Sequence, residues 1–302
     1  MTLQVTLAVL GAALLHAAWN AFIKVGRDPL LETTLIHAWV AVPALLLVPY
    51  VDLPGSVAAL CLAASVTIHC LYYFALAAAY RNSDLSFSYP IMRGTAPMFT
   101  ALTAGVVLRE WPPLAGWLGI AAISGGVLTI GLARGLAVTS GAGTSSRADA
   151  ARGSVASVSH NQRGKAVGWA LLTASTIVAY TVVDSIGVRS APTAWSYVVW
   201  LALLEGVAVF ALVWALRGRS LVAYARARGV APLGVGIAAW AAYGIALWAM
   251  TQAPVALVAA LRETSVLFAM LIGALLLKER AGPLRWAGAV SIVAGIFALR
   301  LA

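Results

Sequence analysis

The chain has 302 residues, of which 62% are hydrophobic and only 10% are charged. Soluble domains carry about 25% charged residues, so this composition excludes a soluble globular protein and indicates an integral membrane protein. The formal net charge of +10 comes from basic residues at the ends of apolar runs and in the joints between them. These residues form no basic stripe interleaved with aromatic side chains, so nucleic acid is not expected as a partner.

Ten apolar runs follow one another along the chain, separated by short joints that contain charged residues, proline or glycine. A helix needs about 20 apolar residues to cross the hydrocarbon core of a bilayer. The runs are too long and too continuously apolar for barrel strands, so the sequence predicts an all-α integral membrane protein with ten transmembrane helices. The predicted helices lie near residues 3–24, 31–50, 56–79, 85–108, 113–133, 165–187, 194–216, 230–251, 254–277 and 283–301.

The two halves of the chain repeat each other. A shift of 169 residues aligns 93–133 with 262–302, and 12 of these 41 positions are identical. The sequence therefore predicts two five-helix domains, 1–134 and 165–302. Because five is odd, corresponding helices cross the membrane in opposite directions, as in transporters that are built from inverted repeats. Residues 135–164 are rich in Gly, Ser and Ala, and are predicted to form a flexible linker between the domains.

One stretch of the repeat carries a specific pattern. In each half a helix ends with Leu-Arg-Glu or Leu-Lys-Glu, and the next helix contains Trp and then Gly. The matched residues are Glu110 and Glu279, Trp117 and Trp286, and Gly119 and Gly288. Together with the two five-helix halves, this pattern resembles the EamA-type ten-helix transporters of the drug/metabolite transporter superfamily, over nearly the whole chain. The resemblance implies a carrier of small molecules, chiefly an exporter of amino acids and other metabolites.

The distribution of Lys and Arg predicts the orientation in the membrane. Fifteen of these residues lie in the joints that follow odd-numbered helices, and three lie on the other side, with the intramembrane Arg93 and Arg262 left out. The positive-inside rule then places the linker in the cytoplasm and both termini outside. The resemblance implies the reverse, with cytoplasmic termini, so the two predictions disagree.

Arg93 and Arg262 occupy equivalent positions inside apolar runs. An arginine at the bilayer centre costs on the order of 3 kcal/mol or more, so such a residue faces a cavity or a partner. Repeat symmetry directs both arginines to the interface between the halves, where they are predicted to bind a carboxylate or phosphate of the substrate. The alternative is that Arg93 pairs with an acidic residue, such as Glu263 or Asp184.

The segment around Arg93 contains three residues that weaken helices, Pro90, Gly94 and Pro97. Proline removes a backbone donor and clashes with the preceding turn. The sequence therefore predicts that the fourth helix is kinked or broken beside Arg93, which would give a gating element with freed backbone groups.

Other polar and aromatic residues within apolar runs are candidates for the site. His16, Asn20 and Lys24 form a stripe along the first helix, with Trp19 beside it. The predicted substrate-binding residues, besides the arginines, are Trp19, Asn20, Tyr73, Tyr89, Tyr180 and Tyr243. The alternative is that these polar groups bond to neighbouring helices and the aromatic residues mark the membrane interface.

Buried acids and a histidine are candidates for proton coupling or charge balance. These are His69, Asp184, Glu205 and Glu263. His37 is predicted to be a packing residue. Glu110 and Glu279 are predicted to form salt bridges in the adjoining turn or to cap the next helix.

The sequence as a whole predicts a secondary active transporter that moves small anionic or zwitterionic metabolites by alternating access, as an exporter in the cell (inner) membrane. Its expected partners are a small-molecule substrate, the lipid bilayer and protons, and the chain is expected to be a monomer or homodimer. The alternatives are a flippase for a lipid-linked intermediate and an intramembrane enzyme. No P-loop and no metal-spaced cluster of ligands occurs in the sequence, and Cys61 and Cys70 are read as packing residues. No cofactor, metal or enzymatic activity is therefore expected.

Overall fold

A computed structural model describes residues 1–23, 28–82, 85–141, 160–275 and 282–302. The regular structure in these ranges is entirely helical, with twelve α-helices and one 3₁₀ turn, Val48–Tyr50. The helices are α1 Leu3–Ile23, α2 Pro29–Leu47, α3 Ser56–Asn82, α4 Leu85–Val107, α5 Leu114–Gly141, α6 His160–Ser190, α7 Ala194–Arg217, α8 Arg219–Arg228, α9 Ala231–Gln252, α10 Val255–Arg262, α11 Ser265–Leu275 and α12 Pro283–Arg300.

Eight segments of the described chain are long and apolar enough to cross a membrane. They lie in α2, α3, α5, α6, α7, α9 and α12, and across α10 and α11 together; a shorter apolar segment covers Leu3–Trp19. Large apolar side chains such as Leu46, Leu60 and Val106 are more than two-thirds exposed on the outer faces of their helices, as expected for surfaces that face lipid. The predicted all-α membrane fold is confirmed at this level.

The helix bounds differ from the sequence prediction at the joint between the halves. Helix α5 continues to Gly141 and α6 begins at His160, so the segment predicted as a flexible linker, 135–164, is helical at both ends. Residues 142–159 lie outside the described part of the chain.

Helix α8 was not predicted from the sequence. This helix is held against the start of α2 by Glu32, whose carboxylate accepts hydrogen bonds from Tyr224 Oη at 2.6 Å and Arg228 Nε at 3.0 Å. Leu221 of α8 is fully buried. Burial and the hydrogen bond to Glu32 raise the pKa of the Tyr224 phenol.

Contacts between helices recur with the halves exchanged. If α1 to α5 correspond in order to α6, α7, α9, the α10–α11 pair and α12, then α3 packs on α6 as α9 packs on α1. Likewise α4 packs on α6, and α10 and α11 pack on α1. Two other large contacts join α2 to α7 and α5 to α12, each helix with its own counterpart, and α4 also packs on α5 within the first half. A two-fold relation between the halves would produce such an exchange of contacts.

At the crossing of α5 and α12, matched glycines of the two halves let the helix backbones approach closely. A Cβ on Gly126 would lie 2.6 Å from the carbonyl oxygen of Gly288, and a Cβ on Gly288 would lie 2.8 Å from that of Gly126. Gly119 and Gly295 meet in the same way, with a Cβ on Gly295 lying 2.8 Å from the carbonyl oxygen of Gly119. Because only glycine lets two backbones approach this closely, the matched glycines fix the contact between the halves.

We expect Gly126→Ala to lower the melting temperature of the detergent-solubilised protein, because the added methyl group must push α12 away, at a cost of about 1–3 kcal/mol. The neighbouring Gly125 provides a matched control, since a Cβ there meets nothing within 4 Å. Thermal unfolding followed by size-exclusion chromatography would measure both variants. Equal melting temperatures for Gly126→Ala and Gly125→Ala would contradict the proposed role of the crossing.

Candidate functional site

A cavity of about 420 Å³ lies between the halves. Side chains from α1, α2, α3, α4, α6, α7, α9 and α10 line it, so both halves contribute to its wall. Its size falls within the roughly 300–1,000 Å³ that is typical of small-molecule sites. Most of the lining is apolar or aromatic, with a few charged groups among them.

The cavity reaches helix ends on one side of the protein. Asp28 lines it and caps the N-terminus of α2, where its Oδ1 accepts a hydrogen bond from the Leu30 amide at 3.0 Å. Arg217, the last residue of α7, also lines the cavity and is exposed. If consecutive helices alternate in direction, this is the side on which α5 ends and α6 begins.

On the opposite side, Glu110 and Arg189 form an ion pair. Arg189 also donates from Nε to the carbonyl oxygen of Met250 at 2.7 Å, and Glu110 accepts a hydrogen bond from the Val255 amide at 3.0 Å. The pair thus ties the α4–α5 joint to the end of α6 and to the α9–α10 joint. Glu110 was predicted to act within its own turn or on the next helix. It caps α10 in the other half instead, and Glu279 lies outside the described residues.

Arg93 is buried and neutralised across the repeat interface. Its Nε lies 2.9 Å from Glu263 Oε2, and its Nη2 donates to His16 Nε2 at 3.0 Å. Since a guanidinium can only donate, Nε2 of His16 must be unprotonated. Ser265 Oγ lies 3.4 Å from the same Nη2. Arg93 is therefore one partner of a buried ion pair.

Arg262 has a different environment, although it is the repeat equivalent of Arg93. Its guanidinium carbon lies 5.0 Å from the ring centroid of Tyr243, a cation–π contact. Within the described part of the chain, Arg262 has no salt bridge, and its side chain lines the cavity. It therefore presents a positive charge to any solute that enters.

The difference between the two arginines has a cause in the sequence. Under the 169-residue shift, Glu263 corresponds to Gly94. The second half therefore supplies a carboxylate to Arg93, while the first half has only a glycine at the position that would serve Arg262. The repeat symmetry of the arginines is broken by this one residue.

The fourth helix was predicted to be kinked or broken; the break is wrong, and the kink stays a prediction. Helix α4 is continuous from Leu85 to Val107, with Pro90 and Pro97 inside it. Pro90 packs directly on α5, where a Cβ on Gly131 would lie 1.9 Å from its ring, and Gly94 makes room for Leu128 in the same way. These residues serve close helix packing, which is why the proline signal did not produce a gap.

The break lies instead in the equivalent helix of the second half. Helix α10 ends at Arg262 and α11 begins at Ser265, with Glu263 and Thr264 forming a turn between them. Thr264 Oγ1 donates to the carbonyl oxygen of Leu261 at 2.7 Å, which satisfies one of the freed acceptors. The sequence contains neither proline nor glycine between Val255 and Ile272, so no helix-breaking residue indicated this break.

Aromatic rings form the wall next to Arg262. His69 stacks on Tyr180 with centroids 4.2 Å apart, and Tyr180 meets Tyr243 edge to face at 6.2 Å. Tyr72 packs against Tyr180 in the same manner at 6.0 Å. The predicted cavity residues Tyr180, Tyr243 and Tyr73 all line the cavity, as does Trp19. The side chains of Asn20 and Tyr89 lie outside the described part of the structure.

Asp184, predicted to couple protons or balance charge, is enclosed away from the cavity. It is fully buried, and Tyr197 Oη and Tyr243 Oη donate to its two oxygens at 2.8 Å and 2.5 Å. The carboxylate thus fixes the Tyr243 phenol, and through it the ring beneath Arg262. A role in positioning the aromatic wall explains this geometry better than direct contact with solute.

Glu205 forms a second acidic group, and it does line the cavity. Tyr73 Oη donates to Glu205 Oε1 at 3.1 Å, and His37 Nε2 lies 3.3 Å from the same oxygen. His37 is therefore part of a polar cluster and not the packing residue that the sequence predicted. Its partners lie on α3 and α7, far along the chain, so no local pattern pointed to them.

Comparison with known proteins agrees with this architecture. The model of the EamA-like transporter family matches residues 4–132 and 164–301. The chain belongs to the EamA-like transporter family. The chain is also similar in fold to a solved structure titled "Crystal structure of protein", with a TM-score of 0.66, 15% sequence identity, and coverage of 99% of this chain and 97% of that chain. None of the curated proteins compared with the chain matches it. EamA-like proteins are generally transporters and not enzymes, and two EamA domains make up this chain.

The ion pair between Arg93 and Glu263 predicts a charge-dependent stability. We expect Arg93→Gln to lower the free energy of unfolding by about 3–5 kcal/mol, because it leaves Glu263 buried without its partner. Arg93→Gln combined with Glu263→Gln should recover most of that loss, since both charges are then removed. Arg262→Gln should change stability little. Thermal unfolding of the three proteins tests this, and equal losses for the single and double variants would contradict the pairing.

Proposed function

We propose that the protein is a secondary carrier that moves small anionic or zwitterionic metabolites, amino acids and related acids among them, across the cell (inner) membrane by alternating access. The observation that carries the proposal is Arg262, a cation without a salt bridge among the described residues, on the wall of a cavity between two halves. A guanidinium can form two parallel hydrogen bonds to a carboxylate or phosphate. The aromatic wall beside it would hold the less polar part of the solute.

Ten membrane-spanning helices fit this proposal. Besides the eight segments described above, α1 has 21 residues and α4 has 23, which gives each a length above about 30 Å. Five helices in each half, with contacts that repeat when the halves are exchanged, favour an inverted repeat with its site near the midplane. Arg300 Nη1 donates to the Met1 carbonyl oxygen at 2.9 Å, which agrees with both termini lying on one side.

The cavity supports one state of an alternating cycle. It reaches helix ends on the linker side, and the Glu110–Arg189 pair closes the other side. Charge bias assigns the linker side to the cytoplasm, so the state would be open inward. Opening to the other side would require that pair, and the bonds from Arg189 to the α9–α10 joint, to separate.

A transport assay tests the role of Arg262. In proteoliposomes with a panel of labelled amino acids and organic acids, we expect saturable exchange of at least one acid. Arg262→Gln should weaken it about 10- to 100-fold, the equivalent of one charge-assisted hydrogen bond. Arg262→Lys should be intermediate, because it keeps the charge but loses the planar fork. Arg219→Gln, on the exposed start of α8, is the control. Full exchange by folded Arg262→Gln would overturn the site, and no exchange by wild type would favour the lipid-linked flippase.

The closing ion pair can be tested without a substrate. In a Cys61→Ser/Cys70→Ser background, a cysteine is introduced at Ala259, which is buried beside Arg262. Glu110→Gln should raise its labelling by a membrane-impermeant maleimide from the side of the termini, up to about fivefold for about 1 kcal/mol lost.

The control for this labelling is Arg300→Gln, which removes a cation on the same side without touching the pair. Unchanged labelling in Glu110→Gln would show that the pair does not hold that side closed.

A further inference from the structure

Glu205, His37 and Tyr73 come from three different helices and meet at the cavity wall. We name them the Glu205 unit. Tyr73 Oη lies 3.1 Å from Glu205 Oε1 and 2.8 Å from His37 Nε2, and His37 Nε2 lies 3.3 Å from the same carboxylate oxygen. The His37 side chain is 23% exposed and that of Glu205 is 10% exposed. The unit is thus packed into the wall and still reachable from the cavity.

The hydrogen bonds of the unit fix how many protons it holds. His37 Nδ1 lies 2.8 Å from the carbonyl oxygen of Thr33, and because a carbonyl only accepts, Nδ1 carries a proton. Tyr73 has one hydroxyl proton and donates it to Glu205, so its oxygen can only accept from Nε2. Every bond is satisfied when Nε2 is protonated as well. The geometry therefore fits an imidazolium beside a carboxylate, with a net charge of zero.

Loss of one proton from the unit changes its charge to −1. Nε2 of His37 would then point a lone pair at the Glu205 carboxylate. The single hydroxyl proton of Tyr73 could be donated either to Glu205 or to His37 Nε2, but not to both. One partner is left without a donor in a place where an unmet polar group is costly. The unit therefore has two states that differ by one proton, and water in the cavity can supply or remove it.

Other titratable groups lie near the Glu205 unit, but none of them combines the same features. Those that face it from the neighbouring helices are His69, Cys70 and Tyr72 of α3 and Tyr180 of α6. His69 makes its own bonds, with Nδ1 lying 3.0 Å from the Ser65 carbonyl oxygen. Further away in the same cavity lie Asp28, His16, Arg93, Arg217, Tyr243 and Arg262. Among the described residues, Glu205 is the one carboxylate that both lines the enclosed part of the cavity and bonds to a histidine.

We propose that the Glu205 unit binds a proton that is carried together with the anionic solute held at Arg262. This inference rests on the proposed function. Protonation removes one negative charge from the cavity that holds the solute, so proton and anion favour each other's binding, and the coupling is reciprocal. The proton enters from water on the open side, resides on the unit, and leaves to water on the other side once the cavity opens there. One proton with one monoanion moves no net charge.

The test uses two assays on the same proteoliposomes, with the labelled acids described above. Exchange at equal pH reports the carrier, and accumulation against a pH gradient reports coupling. With the acidic side outside, one pH unit should drive up to about tenfold accumulation, because one unit corresponds to 1.36 kcal/mol. In Glu205→Gln the ratio of internal to external solute should stay at one, whatever its rate of exchange.

Two further measurements keep the test decisive if Glu205→Gln does not fold. Tyr73→Phe should shift the pH at which exchange is half-maximal, whereas Tyr224→Phe, whose phenol bonds Glu32 outside the cavity, should not. A pH-sensitive dye in the lumen should report one proton entering per solute in wild type. Exchange without any effect of pH, or accumulation that survives in Glu205→Gln, would overturn the proton site alone. Absence of exchange in wild type would overturn the carrier and the proton site together.

Discussion

The ion pair between Arg93 of α4 and Glu263 after α10 sets the charge pattern of the whole cavity. An arginine within a membrane needs a partner or water, and this one receives a carboxylate from the other half of the protein at 2.9 Å. The pair therefore joins the halves and neutralises one of the two arginines that line the cavity. Because the first half has Gly94 where the second has Glu263, Arg262 receives no such partner among the described residues. The two halves thus carry equivalent arginines in different environments.

Three other groups of charged side chains in the described structure are held by local contacts. Asp184 is enclosed by two phenols and orients Tyr243. Glu110 pairs with Arg189 and caps α10. Glu205 remains in contact with the cavity through a histidine and a tyrosine. Arg262 and Glu205 both line the cavity, and they are the charges to which we assign the solute and the proton.

The sequence predicted what depends on hydrophobicity and repetition. Apolar runs of membrane-spanning length located most of the helices, and the 169-residue shift paired Gly119 with Gly288 before their contacts were known. It could not show that these glycines meet crosswise between α5 and α12, because a repeat gives correspondence and not contact. The ten-residue helix α8 was missed because its three arginines resemble a charged joint. Proline suggested a break in α4, yet Pro90 fits against Gly131, and the break formed beside Arg262 without any helix breaker. His37 was predicted to be a packing residue because its polar partners are distant in sequence.

The most direct test of this account is a structure of the protein, by electron cryomicroscopy or crystallography, with a transported acid bound. The account predicts acid oxygens about 2.7–2.9 Å from the Arg262 guanidinium, above the Tyr243 ring, with Arg93 still paired to Glu263. An acid bound to Arg93 with Glu263 displaced, or bound away from both arginines, would contradict it.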